Sequence, residues 1–143
     1  MIFEEEKIYP RCSANMIIFD AAGNVLLTKR GVEPYKEYWV IPGGHIKRES
    51  PTDAVRREIH EELNVQAEPT RLYGVYENLT NDPRRPTVSI FYIGHIVSGD
   101  IEATIEVSET KFFSLHDLPD KIGFNHRRIL EDIRKFPEGQ PLK

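Results

Sequence analysis

The chain has 143 residues, 19 Lys and Arg against 23 Asp and Glu, and a net charge of −4, a size that suits one domain whose core needs no staple. That acidic balance disfavours a nucleic-acid-coating or membrane-surface protein, and the single cysteine, Cys12, excludes an internal disulfide framework and a cysteine-rich zinc site. No apolar run approaches the roughly 20 residues that span a bilayer, and the acidic start Met1-Ile2-Phe3-Glu4-Glu5-Glu6 lacks the pattern of a secretory signal, so a soluble cytoplasmic domain over 1–143 is expected.

In chain order, Cys12 to Phe19 is apolar and β-compatible and ends at the turn cluster Asp20-Ala21-Ala22-Gly23-Asn24. Val25-Leu26-Leu27-Thr28 follows, so residues 12–29 read as a β-hairpin. Tyr38 to Ile41 is a short strand stopped by Pro42-Gly43-Gly44. A helix then starts, with Ser50 as its N-cap, Pro51 in the first turn and a body running to Leu63. Leu72 to Tyr76 and Thr87 to Val97 are two more strands, the second apolar enough to be buried on both faces. Lys111-Phe112-Phe113 reads as a last strand. The final helix runs from Asn125, its expected N-cap, to Phe136, with Ile129, Leu130, Ile133 and Phe136 at helical spacing. The tail from 137 to 143 is expected to be loose.

The first helix carries the chemistry. Val55, Ile59 and Leu63 form one narrow apolar stripe. Glu58, Glu61 and Glu62 fall in a second arc of about 100° that borders this stripe rather than opposing it. Carboxylates at i, i+3 and i+4 repel one another by a few tenths of a kcal/mol per pair on a bare helix. A solvated acidic face is the plain reading. The alternative is an oxygen-only site for Mg²⁺ or Mn²⁺, which would cancel the repulsion.

From Gly43 to Val65 the sequence reads GGHIKRESPTDAVRREIHEELNV. It resembles the Nudix box: a glycine, five residues, Glu, seven residues, Arg-Glu, an apolar residue, one residue, Glu-Glu, one residue, Gly and an apolar residue. Gly43, Glu49, Arg57, Glu58, Ile59, Glu61, Glu62 and Val65 all fit the spacing. A chance match at one given start is on the order of 10⁻⁸ from average residue usage. One position departs, Asn64 in place of the family's Gly. It follows the last helical turn, where Asn is the next best tolerated left-handed residue. Trp39-Val40-Ile41-Pro42-Gly43-Gly44 is similar to the strand and loop that enter the box, and Phe112-Phe113-Ser114-Leu115 with Leu118-Pro119 to a late strand and turn.

The resemblance implies a mixed α and β fold, an α/β/α sandwich around a mixed sheet. It also implies hydrolysis of a nucleoside diphosphate linked to another moiety, with Mg²⁺ as cofactor and Mn²⁺ as a substitute. Carried over residue by residue, it makes Glu58 and Glu62 metal ligands, with Glu61 sharing a second metal and the Gly43 carbonyl a further ligand. Arg57 would pair with the carboxylates and hold their rotamers, although an ordinary Arg57–Glu61 pair at i, i+4 is the simpler alternative. Glu49 would steady the loop against Arg57, and Gly44 would support the site beside it. Family members differ in the source of the general base. Glu106 is the candidate from the later segment, with Glu109 second.

Recognition of the substrate is assigned to Arg30, Arg84 and Arg85, cations placed to hold phosphate. Tyr73, Tyr76, Phe91 and Tyr92 are candidates to stack on a base, against the commoner reading of core aromatics. The five histidines show no metal-ligand spacing and receive no role. The partner expected is a small nucleotide, not a membrane or a nucleic acid, with the chain as monomer or homodimer. ADP-ribose or a nucleotide sugar is the favoured substrate class. The alternatives are a nucleoside triphosphate pyrophosphohydrolase and a non-catalytic nucleotide-binding module of the same fold.

Overall fold

In the computed structural model residues 9–142 are described. The elements are β1 (Arg11–Ile18), β2 (Val25–Arg30), β3 (Trp39–Val40), β4 (Gly43–His45), α1 (Pro51–Leu63), β5 (Gln66–Asn78), β6 (Thr87–Ser98), β7 (Val107–Phe113) and α2 (His126–Lys135). They build two sheets, one in the order β4-β1-β6-β5 and one in the order β3-β2-β7. β1 runs parallel to β6, and the remaining pairings are antiparallel, so the larger sheet is mixed.

Alternation along the strands assigns the two helices to opposite faces. Ala14, Met16 and Ile18 of β1 and Leu26 of β2 join Val55, Ile59 and Leu63 of α1 in one core. Ile17, Val25 and Leu27 join Ile129, Leu130 and Ile133 of α2 in the other. The apolar stripe read from 55, 59 and 63 is therefore what seats α1. Each of these three side chains is fully buried, worth roughly 1.5–3 kcal/mol relative to exposure. The expected sandwich of helix, sheet and helix is what forms.

The structure changes several local expectations. The residues read as a hairpin contain both strands and the turn, yet β1 and β2 meet only at one isolated bridge, Phe19–Val25, and go into different sheets. β5 is longer than Leu72–Tyr76 because it lies at a sheet edge, where Pro69 breaks no second ladder and three register shifts absorb the irregularity. Leu72 and Val75 are exposed on that strand. β7 begins at Val107 rather than Lys111, and of the stop read at Pro42-Gly43-Gly44 the two glycines join His45 in β4 and pair with β1. Asn125 precedes α2 but makes no side-chain cap; its Nδ2 donates to the Glu77 carbonyl instead. Phe136 is 46% exposed and does not join the buried stripe. Residues after Phe136 are not loose throughout. The Gln140 N–H donates to the Tyr73 carbonyl, its Oε1 accepts from the Val75 N–H, and Arg71 donates to the Pro137 and Glu138 carbonyls.

Candidate active site

Local rules fix both ends of α1. The Ser50 hydroxyl accepts the Asp53 N–H at 3.2 Å, and Pro51 opens the first turn, where its missing N–H costs nothing. At the other end Asn64 adopts φ 58°, ψ 35°, and its N–H closes the last turn onto the His60 carbonyl at 2.9 Å. Asn thus does the backbone work expected of Gly. It also does something a glycine could not, since its Nδ2 donates to Glu102 at 3.1 Å.

That contact is one of several that pull the segment between β6 and β7 over the end of α1. The Glu102 N–H donates to the Leu63 carbonyl at 3.0 Å and the Thr104 hydroxyl to the Glu62 carbonyl at 3.0 Å, while the Glu106 carbonyl accepts the Gly31 N–H at 2.9 Å. The outcome is a group of three carboxylates, Glu58, Glu62 and Glu106, each with an oxygen within 4.8 Å of the others. Glu58 and Glu62 are each 9% exposed, so the arc beside the core stripe is not a solvated face at these two positions. Burial raises the Glu62 carboxyl well above its ordinary pKa, Glu58 pushes it further, and the Gly43 N–H at 3.2 Å only partly offsets this. Burial raises Glu58 as well, against the pull of Arg57. Two buried anions beside a third, with only oxygen donors, suit a hard divalent cation.

Glu61 stays outside this group. Its carboxylate sits at the rim, 3.2 Å from the Arg57 guanidinium. Arg57 gathers the rest of the helix face. Its Nε lies 3.0 Å from Glu49 in a two-oxygen contact, Nη1 donates to Glu58 at 2.9 Å, and Nη2 donates to the His45 carbonyl at 3.2 Å. The Glu49 hydrogen bond is the main reason that Arg57 is held more firmly protonated than usual, and Arg57 in turn lowers the Glu49 pKa. The simple i, i+4 pair with Glu61 is thus one of several contacts, since Arg57 also reaches Glu49 and Glu58. Gly43 has φ 151°, and a Cβ there would strike the Ala14 carbonyl and Asn15. A Cβ on Gly44 would enter the Glu58 carboxylate. Gly43 thus lets β4 lie close against β1, and Gly44 lets the same strand lie against the acidic helix face.

The carboxylates line a cleft of about 380 Å³ that also takes in Arg30, Arg84, Asp82, Phe124 and His126. Arg30 donates from Nε to the Pro34 carbonyl and, among the described residues, makes no ion pair within 4.0 Å; its guanidinium lies 5.2 Å from the Phe124 ring centre. Burial, together with the Arg84 cation, lowers its pKa, while Glu62, Asp82 and Glu106 pull the other way. Arg84 differs, since its Nε and Nη2 are both taken by Asp82, at 3.0 and 2.8 Å. Arg85 is exposed and does not line the cleft, so it drops out of the candidate set. Glu109 also drops out, paired with Lys29 at 3.4 Å away from the carboxylate group.

The aromatic candidates are corrected too. Tyr73, Tyr76 and Phe91 are buried in the α2 core and Tyr92 packs on the α1 core. Phe124 is the aromatic at the cleft, and the Tyr35 ring lies 4.8 Å from it. Sequence reasoning passed over Phe124 because nothing in Gly123-Phe124-Asn125 has periodicity. Asp82 did carry a signal: an Asp two residues before Arg84 in a Pro-containing turn is an Asx-type arrangement, and the Arg84 N–H donates to its Oδ1 at 2.9 Å. The histidines were given no role, yet His45 and His126 line the cleft. Burial with Arg11 and Arg84 lowers His45 to about 4, and burial with Arg30 lowers His126 to about 3. The floor is polar: the Ser13 hydroxyl donates to Ser89 at 2.8 Å, and Asn15 Nδ2 donates to Ser13 at 3.1 Å.

Comparison with known proteins agrees with this geometry. The family model described as the NUDIX domain matches residues 10–133. An ADP-ribose pyrophosphatase of Methanocaldococcus jannaschii is 33% identical over 133 residues, covering 92% of this chain and 78% of its own. A MutT NUDIX hydrolase structure from Burkholderia pseudomallei superposes with a TM-score of 0.78 at 30% identity, covering 87% of this chain and 98% of its own. The structure of an ADP-ribose pyrophosphatase from Streptococcus suis shares the fold, with a TM-score of 0.74 at 22% identity over 94% of this chain and 97% of its own.

Proposed function

Because this chain belongs to the NUDIX family, and is a pyrophosphohydrolase of that family, we propose that it hydrolyses the diphosphate bond of ADP-ribose or a related nucleoside diphosphate sugar with Mg²⁺. The observation that carries the reading is the three-carboxylate group of Glu58, Glu62 and Glu106 sharing one cleft with Arg30, a cation with no carboxylate partner among the described residues. The M. jannaschii relative supports the substrate class.

Glu58 and Glu62 would hold the cation, with the Gly43 carbonyl as a further ligand, Glu61 at the rim available to a second ion, and Glu106 beside them as the base. When bound, Mg²⁺ supplies charge neutralisation for phosphate oxygens and a more acidic water. The chain does the rest. Arg57 fixes the rotamers of Glu58 and Glu61 and ties them to Glu49. Arg30 binds phosphoryl oxygen and draws the diphosphate against the acidic wall. Arg84 contributes less charge because Asp82 already takes it. Glu106, exposed on its loop, accepts the proton of the attacking water and releases it to solvent. Mn²⁺ satisfies the same oxygen donors.

The test is turnover against ADP-ribose, other nucleoside diphosphate sugars and nucleoside triphosphates, with Mg²⁺ and with a chelator, products identified by mass. AMP and ribose 5-phosphate from ADP-ribose, formed only with metal, are the expected result. Monophosphate and inorganic pyrophosphate from a triphosphate, with ADP-ribose untouched, would replace the substrate class. Tight ligand binding with no turnover of any member would reduce the chain to a binding module.

A further inference from the structure

His126 opens α2, 7% exposed, in the wall of the cleft. Its Nδ1 accepts the Ile41 N–H at 2.9 Å. An imidazole whose Nδ1 is an acceptor carries its single proton on Nε2. Among the described residues Nε2 has no acceptor, and no side-chain nitrogen that is fully sealed from solvent lacks a partner, so Nε2–H opens into the cleft. Two aromatic rings hold the imidazole, Phe91 edge-on at 5.6 Å and Phe124 tilted at 5.6 Å. The Arg30 guanidinium lies over that same Phe124 ring at 5.2 Å. A neutral, fixed donor and an unpaired cation therefore flank one aromatic ring in the same cavity.

We propose that His126 is a substrate-binding residue whose Nε2–H donates to a phosphoryl oxygen of the diphosphate that Arg30 attracts. The proposal rests on the diphosphate reading of the cleft. An anion that satisfies the free Nη atoms of Arg30 beside Phe124 brings oxygen acceptors to the unused Nε2–H at the same ring, a neutral donor beside the Arg84 cation that Asp82 already pairs. The Ile41 backbone explains why the residue is histidine: one nitrogen must accept from the chain while the other donates to the ligand. Asn, Gln and Ser do not span both distances. The sequence offered no sign of this, because the arrangement depends on a backbone N–H 85 positions away in the chain.

Two substitutions separate the two nitrogens. His126→Asn keeps an acceptor near Ile41 and removes the cleft donor. His126→Gln keeps a donor near the Nε2 position and orphans the Ile41 N–H. For cleavage of ADP-ribose with Mg²⁺, His126→Asn is expected to raise KM about tenfold or more, the worth of a hydrogen bond to a charged group, with a smaller change in kcat. His126→Gln is expected to recover most of the wild-type KM while unfolding at lower urea than His126→Asn. Equal KM in wild type and His126→Asn would overturn the proposal, as would equal losses of binding in both variants. If neither variant folds, ¹⁵N NMR of the wild-type imidazole decides. Added inorganic pyrophosphate with Mg²⁺ should shift Nε2 and leave Nδ1 in place, and an unmoved Nε2 would overturn the proposal. A wild type that cleaves no ADP-ribose defeats the substrate reading alone, since the pyrophosphate titration still tests the donor.

Discussion

Glu62→Gln separates the two demands on the acidic helix face. The side chain is nearly isosteric, and its Oε1 can still accept the Gly43 N–H that Glu62 accepts at 3.2 Å. What is lost is one buried negative charge within 4.8 Å of Glu58. Two unit charges at that distance and an effective dielectric constant of about 20 repel by about 3 kcal/mol. Proton uptake relieves part of this, since burial and Glu58 both raise the Glu62 pKa. The metal-free variant is therefore expected to be more stable than wild type by about 1–3 kcal/mol near pH 8. The gain should shrink on acidification. A carboxyl with a raised folded pKa stabilises the wild type as pH falls through that pKa toward the unfolded value of 4.5. With Mg²⁺ the order reverses. Wild type gains about 4.1 kcal/mol at a metal concentration about 1,000 times Kd, more than the variant's lead, and the variant gains little. The assay is urea unfolding with and without Mg²⁺, beside turnover of ADP-ribose, which the variant should lose almost entirely. A metal-free variant less stable than wild type that still gains as much from Mg²⁺ would refute the reasoning.

Arg57→Lys keeps the charge and loses the fork that serves Glu49, Glu58 and Glu61 together. Steady-state kinetics should show kcat/KM down roughly 10–100-fold, the usual cost of removing support from metal-binding side chains. Gly44→Ala drives a methyl group into the Glu58 carboxylate, and Mg²⁺ titrations followed by thermal unfolding should show weaker metal binding in a chain that still folds. His126, held to about 3 against an ordinary 6.5 by burial and Arg30, stays neutral in the folded protein while its unfolded counterpart takes a proton. Its contribution to stability is complete above pH 6.5 and is lost as pH falls toward 3, at about 1.4 kcal/mol per unit. Between pH 6.5 and pH 5 the unfolding free energy from urea titration should therefore fall by about 2 kcal/mol more in wild type than in His126→Asn. Parallel slopes would remove the buried neutral imidazole from the account.

Legibility followed the range of the interactions. The acidic helix was readable to the residue because its cap, first proline, apolar stripe and left-handed end are all local to residues 50–64. Its match to a known box singled out Glu58 and Glu62, and these two share the acidic group with Glu106, the carboxylate read from the later segment. What the sequence did not disclose came from tertiary context. Glu61 satisfies the same spacing as Glu58 and Glu62, yet it points to the rim and to Arg57 rather than into the group of three. Arg84 and Arg85 are neighbours in one loop, and only the fold turns the first to Asp82 and the cleft. Tyr73 and Tyr76 look like binding aromatics on a strand, but each spends its hydroxyl on the α2 side, on the Phe136 carbonyl and on Asp132. The recognition side of the cleft is assembled from Arg30, Arg84, Phe124 and His126, which share no local pattern.

The expected hairpin fails for a reason that also explains the cleft. β1 and β2 are joined by a short turn and touch at the Phe19–Val25 bridge, so they begin side by side. β1 then takes β4 and β6 as neighbours while β2 takes β3 and β7, and the two strands separate with distance from the turn. The residues lining the cleft come from the ends that have moved apart, Arg11, Ser13 and Asn15 on one strand and Thr28 and Arg30 on the other. A paired hairpin would satisfy those backbone groups against each other and leave no opening. Because the strands part, the polar pair Ser13 and Ser89 forms a floor, α1 supplies the acidic wall through β4, and Arg30 reaches the opposite side from the end of β2. The apolar halves nearer the turn, Met16, Ile17, Leu26 and Leu27, stay fully buried and hold the two sheets together. Stability is thus concentrated at one end of this strand pair and chemistry at the other. Substitutions at Ile17 or Leu27 should act on the unfolding midpoint, and those at Asn15 or Arg30 on the kinetics.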